Sequence, residues 1–216
     1  MRIGWRLAAL VLHAMLGVFI QWCAYPFLGE AMRDRYARRW SRICLGLCAV
    51  HLEVVDGAGR PADLAGLSGV LLLANHVSWL DIASIHAGCP QARFVSKADV
   101  LRWPLLGWLI RHVGTLFIER SQRRDALRVV RHMEQSLRAG DVLAVFPEGT
   151  TGDGTSLLPF HANLLQAAIS AHVPIQPVAL RFVEAHSGLP SFAPCYLADD
   201  TLVGSLWRTL SAPPLK

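Results

Sequence analysis

The stretch GVLLLANHVSWLD, residues 69–81, joins a Leu-rich apolar run directly to a polar group that contains a histidine and an aspartate. Short runs rich in Leu or β-branched residues recur along the chain and alternate with helical segments. This alternation predicts an α/β fold over residues 51–216, with a mainly parallel central sheet flanked by helices. The predicted strands lie at residues 51–55, 69–74, 93–95, 115–118, 141–146 and 174–180.

Helices and loops are predicted between these strands. The clearest helix covers residues 123–138, where apolar side chains recur at helical spacing and Gly140 ends the pattern. Another helix is predicted at residues 202–210, with no closing strand after it. Two loops rich in glycine are expected at residues 57–69 and 149–159.

Length, composition and charge indicate one domain with additions that face lipid. The chain has 216 residues, of which 53% are hydrophobic and 17% charged, so it is more apolar than an ordinary soluble domain. The formal charge of +5 suits nucleic acid or an anionic membrane. Because no zinc-finger spacing or RNA-binding aromatic signature accompanies that charge, we expect a membrane partner and no nucleic acid. The five cysteines form no paired ladder, and we expect neither disulfides nor a metal site.

The N-terminal residues 4–28 are mostly apolar, although Arg6, His13 and Gln21 interrupt them. About 25 residues of helix can cross a hydrocarbon core of roughly 30 Å. The alternatives are a cleaved signal peptide and a helix that lies in the membrane interface. The run is long for the apolar part of a signal peptide, so we predict membrane-anchoring helices within residues 1–50.

A cluster of arginines follows that run. Residues 32–42, MRDRYARRWSR, contain five arginines beside a tyrosine and a tryptophan, and an apolar run at residues 43–50 comes next. Arginines and aromatic residues of this kind attract acidic lipid headgroups at the membrane surface. We predict a second helix along or into the membrane; the alternative is a solvated helix face.

His76 and Asp81 are candidates for a base and its orienting carboxylate. Five residues of continuous helix correspond to about 140° of rotation, so the two side chains would not share a helix face. If His76 lies in the turn before a helix, Asp81 on the second turn can reach back to it. The carboxylate would then fix the imidazole tautomer and leave the other ring nitrogen free to take a proton from a substrate hydroxyl. The alternative is a core histidine bonded to a helix aspartate.

Two further segments carry polar groups at the ends of predicted strands. The strand at 141–146 runs into PEGTTGDGT, in which Glu148 is a charge directly after an apolar strand and Gly149 allows close approach of a ligand. Arg120 ends the strand in GTLFIER, and its guanidinium suits a phosphate, although it could instead pair with Glu119 or Asp125. We predict polar ligand binding here rather than an ordinary glycine-rich loop.

Together, residues 75–81, 114–120, 146–150 and 173–178 resemble the four sequence blocks of the glycerolipid acyltransferase family, which includes bacterial 1-acylglycerol-3-phosphate acyltransferases. The resemblance covers roughly residues 50–210 and agrees in the order and spacing of the blocks. It implies that His76 is the general base and Asp81 its orienter, without an acyl-enzyme intermediate, cofactor or metal. The implied substrate-binding residues are Lys97, Gly114, Arg120, Glu148, Gly149 and Thr150.

The resemblance also implies the substrates and the location. Acyl-CoA or acyl carrier protein would donate the acyl group, and the expected acceptor is 1-acyl-sn-glycerol-3-phosphate, giving phosphatidic acid in contact with membrane phospholipid. The cytoplasmic face of the bacterial inner membrane is the expected site. Many family members carry Arg where this chain has Thr151, and Lys where it has His161. Another lysolipid, such as lyso-ornithine lipid, is therefore the alternative acceptor.

Other classes of function fit the sequence less well. A lipase would need a placed nucleophile, and no Gly-x-Ser-x-Gly elbow occurs. A noncatalytic membrane lipid-binding protein would use the basic helix and a pocket, but would have no need of His76 paired with Asp81. Replacement of His76 distinguishes the two, since binding would survive while turnover would be lost.

Overall fold

The computed structural model describes residues 2–97, 116–118, 123–197 and 199–216, and for residues 2, 96, 97, 116–118 and 123–126 only the backbone. Within these ranges a helical hairpin precedes an α/β domain. A short 3₁₀ turn at Tyr25–Phe27 joins the two helices of the hairpin. The helices are α1 (Arg2–Cys23), α2 (Glu30–Leu47), α3 (Leu80–Gly88), α4 (Arg123–Arg138), α5 (Ala162–Ala171) and α6 (Leu202–Ser211).

In the described ranges, five strands form one parallel sheet. The strands are β1 (Val70–Ala74), β2 (Ala92–Lys97), β3 (Leu116–Ile118), β4 (Val142–Val145) and β5 (Ile175–Val178). Their order across the sheet is β3-β2-β4-β1-β5, and each neighbouring pair runs parallel. The predicted α/β fold with a mainly parallel sheet is confirmed.

Helices cover both faces of the sheet, which explains why the central strands are apolar throughout. Residues of β1 alternate between two core clusters: Leu71 packs with α4 and α5, and Leu72 packs with α3 on the opposite face. All four residues of β4 are buried. A strand covered on both faces needs apolar side chains at every position rather than at alternate ones. The predicted helix at 123–138 is present, and its Met133 and Leu137 are buried.

The hairpin of α1 and α2 is packed into the domain. Leu45, Cys48 and Val50 belong to a third core cluster together with Leu80 and Leu210. Ile3, Leu7 and Leu10 of α1 pack against the same cluster. The division of the chain at residue 50 stays a prediction, but that boundary runs through shared core, and a deletion of residues 1–50 would remove buried side chains.

One prediction about the edges of the domain was wrong. Residues 51–55 do not form a strand, because the bridges at their ends lead to different partners: Val50 to Leu215 and Val55 to Pro61. Leu215 bridges Glu184 as well as Val50, but these are isolated bridges, and among the described residues no strand follows α6, as predicted. These contacts join segments that are distant in sequence, and local patterns carry no sign of them.

Candidate active site

The carboxyl ends of the parallel strands meet at one edge of the sheet, where α/β folds bind ligands. His76 and Asp81 follow β1, and Glu148, Gly149 and Thr150 follow the adjacent β4. Lys97 is the last residue of β2, beside β4, and only its backbone is described. The predicted residues Gly114 and Arg120 lie outside the described part of the chain.

His76 and Asp81 form a direct pair. Nδ1 of His76 lies 2.8 Å from Oδ2 of Asp81, whose side chain is fully buried, and the His76 side chain is 20% exposed. His76 precedes helix α3, as predicted. Asp81 lies in the first turn of that helix rather than the second, because α3 begins only at Leu80. The backbone N–H of Leu80 donates to Oγ of Ser78 at this helix start.

A single carboxylate oxygen of Asp81 organises the turn around His76. Besides facing the imidazole, Oδ2 accepts hydrogen bonds from the backbone N–H groups of Val77, at 2.6 Å, and Ser78, at 2.8 Å. With Asp81 ionised, Nδ1 of His76 must be the donor, since a carboxylate only accepts. In the neutral ring Nε2 then has a free lone pair and can take a proton.

Aromatic packing fixes the plane of the imidazole. The His76 ring stacks on Phe146 with 3.9 Å between centroids and 10° between planes. Phe146 in turn stacks on Phe94, with 5.7 Å between centroids. Asp81 therefore holds the histidine ring at Nδ1, and the ring of Phe146 packs against its face. These two contacts leave the imidazole little freedom to rotate.

The loop after β4 reaches the backbone of His76. Glu148 is buried, and its Oε1 accepts the backbone N–H of His76 at 2.9 Å. The backbone N–H of Gly152 donates to the carbonyl oxygen of His76 at 2.8 Å. Gly149 has a φ of 69°, in the left-handed region that favours glycine, and its N–H closes a turn onto Phe146. Thr150 is exposed.

A second loop lies against the same turn. The N–H of Tyr196 donates to the carbonyl of Val77 at 3.0 Å, and the hydroxyl of Thr151 donates to the carbonyl of Tyr196. Arg208 anchors this loop, because it pairs with Asp200 at 2.6 Å and donates to the carbonyl of Cys195. Thr151 therefore ties two loops together.

Sequence reasoning missed several residues that shape the site. Phe146, Gly152 and Tyr196 contact the His76 turn. The side-chain amide of Asn75 holds Leu180, because its Nδ2 donates to the carbonyl of Leu180 at 3.0 Å and its Oδ1 accepts the N–H of Leu180 at 2.7 Å. Asn75 and Phe146 lie inside the blocks that carry the resemblance, so their position was a usable signal. Gly152 and Tyr196 act through backbone atoms, which residue type does not reveal.

No group of three or more His, Cys, Asp or Glu among the described residues has the arrangement of a metal site. The chemistry that these residues support is proton transfer at Nε2 of His76. Such a base, oriented by a buried carboxylate at the carboxyl end of a sheet, can activate a hydroxyl group for attack on a carbonyl.

Comparison with known proteins gives consistent matches. The model of the family described as acyltransferase matches residues 60–181. A lyso-ornithine lipid O-acyltransferase from Pseudomonas aeruginosa is 39% identical over 180 residues, which are 83% of this chain and 65% of that protein. A 1-acyl-sn-glycerol-3-phosphate acyltransferase from Neisseria meningitidis serogroup B is 39% identical over 183 residues, which are 85% of this chain and 69% of that protein. The chain thus spans about two thirds of the length of these curated relatives.

A solved structure shares the fold. The crystal structure of the 1-acyl-sn-glycerophosphate (LPA) acyltransferase PlsC from Thermotoga maritima matches with a TM-score of 0.57. The match covers 85% of this chain and 75% of that chain, at 22% sequence identity. At this identity the likeness concerns the fold, and it agrees with the α/β architecture described above.

Proposed function

Because the chain belongs to the acyltransferase family, we propose that it transfers a fatty acyl group from a thioester, acyl-CoA or acyl carrier protein, to the free hydroxyl of a lysophospholipid. The observation that carries the proposal is the pairing of His76 with the buried Asp81 at 2.8 Å, which leaves Nε2 of His76 available for the acceptor hydroxyl. A protein that only bound lipid would gain nothing from a base oriented in this way.

The proposed reaction needs only the thioester, the hydroxyl and His76. The acceptor oxygen attacks the carbonyl carbon of the thioester while Nε2 of His76 takes the hydroxyl proton. The C–S bond of the tetrahedral intermediate then breaks, and the departing thiolate receives the proton from His76. Asp81 stabilises the imidazolium between these two steps. The products are an ester and a free thiol, and no acyl-enzyme intermediate is formed.

The first acceptor that we propose is 1-acyl-sn-glycerol-3-phosphate, which would give phosphatidic acid. Lys97, at the carboxyl end of β2, and Gly149 and Thr150, after the neighbouring β4, support an anionic headgroup beside His76. Gly114 and Arg120 remain proposed contacts on the basis of the family resemblance. By the same resemblance, Thr151 stands where many family members carry an arginine that would suit a phosphate.

A second acceptor, lyso-ornithine lipid, is favoured by a specific contact. The hydroxyl of Thr151 is bonded to the carbonyl of Tyr196, so this position supplies a loop contact in place of a cation. A charge-assisted hydrogen bond to phosphate contributes about 1.5–3 kcal/mol, and its loss weakens the case for a phosphate acceptor. Curated relatives named for each acceptor are equally similar to this chain, at 39% identity.

We also propose that the α1–α2 hairpin holds the enzyme at the cytoplasmic face of the inner membrane. Residues Ile3–Cys23 of α1 have the length and apolar composition to cross a bilayer. Only 6% of the apolar stretch within them is buried inside the protein. On α2, Arg35, Arg39 and Arg42 are exposed on one helix face and line a shallow groove. Within the described part of the chain these three arginines form no ion pair.

The test is transfer of a radiolabelled acyl group from acyl-CoA and from acyl carrier protein, with the lipid products separated by chromatography. Wild type and His76→Ala would be compared with lysophosphatidic acid and with lyso-ornithine lipid as acceptors. Product from wild type and none from His76→Ala is the expected result. Folded wild-type protein that acylates neither lysolipid would reject both acceptors.

A further inference from the structure

Glu148 is a buried carboxylate whose two oxygens are both occupied by the protein's own backbone. Oε1 accepts the N–H of His76 at 2.9 Å, and Oε2 accepts the N–H of Leu158 at 2.8 Å. The residue is only 6% exposed. Its contacts therefore join the segment that carries the base to the far end of the loop after β4.

These contacts make Glu148 a poor ligand for an acceptor headgroup. Its negative charge would repel the phosphate of lysophosphatidic acid or any other anionic group placed beside it. A buried charge is tolerated when its hydrogen-bonding capacity is used, and here two backbone N–H groups use it. The family resemblance implied a substrate contact for this residue, but the described contacts are internal.

We propose that Glu148 is a positioning residue that holds the main chain of His76, an inference that rests on the proposed function of His76 as base. By binding Leu158, Glu148 closes the intervening loop, and Gly152 of that loop donates to the carbonyl of His76 at 2.8 Å. Both main-chain polar groups of His76 are thus held by one loop. Asp81 orients the ring, and Glu148 fixes the backbone from which the ring extends.

A carboxylate of this length is required because both partners are donors. Glutamine has one acceptor oxygen, so its NH₂ group would face the N–H of His76 or of Leu158. Aspartate keeps the charge but is one methylene shorter and cannot reach both N–H groups in the same geometry. Each substitution is therefore expected to break one of the two hydrogen bonds: Glu148→Gln because its NH₂ group faces an N–H, and Glu148→Asp because its side chain is too short.

The kinetic test measures kcat and KM for the lysolipid in wild type, Glu148→Gln and Glu148→Asp. A misplaced base slows the chemical step without changing headgroup binding, so we expect kcat to fall by about 10-fold or more and KM to change by less than about 2-fold. Lys97→Ala is the comparator, because a lost headgroup contact raises KM. A rise of KM in Glu148→Gln like that of Lys97→Ala, with kcat unchanged, would overturn the proposal.

Amide hydrogen exchange tests the two hydrogen bonds of Glu148 without any assay of turnover. In Glu148→Gln the amides of His76 and Leu158 should exchange faster than in wild type by about 10-fold or more, while amides within β4 keep their wild-type rates. Equal exchange rates of the His76 and Leu158 amides in the two proteins would overturn the proposal. If wild type acylates neither lysolipid, the proposed function fails, and the exchange result still decides whether Glu148 holds His76.

Discussion

Oδ2 of Asp81 lies 2.8 Å from Nδ1 of His76 and also accepts hydrogen bonds from the backbone N–H groups of Val77 and Ser78. The other oxygen, Oδ1, is buried and has no hydrogen-bond partner among the described residues. One oxygen of this carboxylate therefore performs both tasks, since it orients the ring of His76, the proposed base, and shapes the turn that presents it.

Asp81→Asn and Asp81→Ala should separate these two tasks. In Asp81→Asn the side-chain oxygen can keep the hydrogen bonds to the backbone while the NH₂ group takes the place of Oδ1, so we expect this variant to fold. Its kcat should be lower by about 100-fold, because the imidazolium of His76 loses its counter-charge. Asp81→Ala leaves three donors without an acceptor and should also lower the free energy of unfolding by about 3 kcal/mol or more. Initial rates and denaturant midpoints in detergent measure the two effects. A wild-type rate in Asp81→Asn would contradict the role given to this charge.

Gly154→Ala and Gly59→Ala form a matched pair of variants. The two glycines have φ values of +78° and +76°, so alanine is strained similarly at both, by about 1–2 kcal/mol. A Cβ at position 154 would lie 3.2 Å from Cγ2 of Val77, whereas position 59 is open. We expect both variants to lose stability, Gly154→Ala the more because of its contact with Val77, but only Gly154→Ala to lose activity, since Val77 directly follows the proposed base His76. Equal activity in the two variants would show that this contact does not affect the site.

Replacing Arg35, Arg39 and Arg42 together by glutamine should weaken binding to anionic vesicles. Each arginine near an anionic surface contributes about 1 kcal/mol, so the triple variant should bind vesicles containing phosphatidylglycerol about 100-fold more weakly. Binding to purely zwitterionic vesicles should stay unchanged. Arg60→Gln is the control, because that arginine is exposed but pairs with Asp56 at 2.7 Å. A loss of the same size on zwitterionic vesicles would contradict an electrostatic role.

The outward face of α1 should be the main apolar contact with the bilayer. Leu12, Leu16 and Phe19 are 67%, 51% and 59% exposed, and their replacement by glutamine removes no core contact. Since a fully buried apolar side chain contributes about 1.5–3 kcal/mol, the triple variant should partition into vesicles at least about 100-fold less. Flotation of vesicles measures this, with Leu127→Gln, 63% exposed on α4, as control. These substitutions are preferable to deletion of residues 1–50, which would take Val50 out of the core. Undiminished flotation would place the membrane contact elsewhere.

His86 should make the domain sensitive to acid. Its ring is buried, Nε2 lies 3.0 Å from the carbonyl of Ala92, and burial lowers its pKa from 6.5 to about 4. Between these pH values the unfolded chain binds the proton and the folded chain does not, so about 3 kcal/mol of stability is present above pH 6.5 and is lost as the pH falls toward 4.

The measurement for His86 is the thermal midpoint in detergent at pH 7.5 and 4.5. His86→Gln can still donate to Ala92 but does not titrate, so its midpoint should fall by about 8 °C less than that of wild type between the two pH values. His186→Gln changes an exposed histidine and should behave as wild type. An equal fall in wild type and His86→Gln would show that another group controls acid unfolding.

Most of the sheet and the centre of the candidate site could be predicted from the sequence, because both depend on local patterns of residues. Apolar runs predicted the five strands, together with one at residues 51–55 that is not formed, and the polar residues directly after β1 and β4 predicted the edge at which the candidate site residues lie. Helix geometry required His76 to lie ahead of a helix if Asp81 was to reach it, and the structure has this arrangement. Contacts between distant segments could be seen only in the structure. The carboxylate of Glu148 accepts the backbone N–H groups of His76 and Leu158. Because every residue other than proline has such an N–H, the sequence does not indicate which ones it binds.

The pairing of Leu215 with Val50 has a consequence for the order of events during synthesis. The backbone of residues 49–51 exchanges hydrogen bonds with Leu215, which lies near the opposite end of the printed sequence. A ribosome releases α1 and α2 long before it reaches this leucine, at about 5–20 residues per second. The hydrogen bonds that join residues 49–51 to Leu215 can therefore form only after all the strands of the sheet have been synthesised, so this part of the core is completed late.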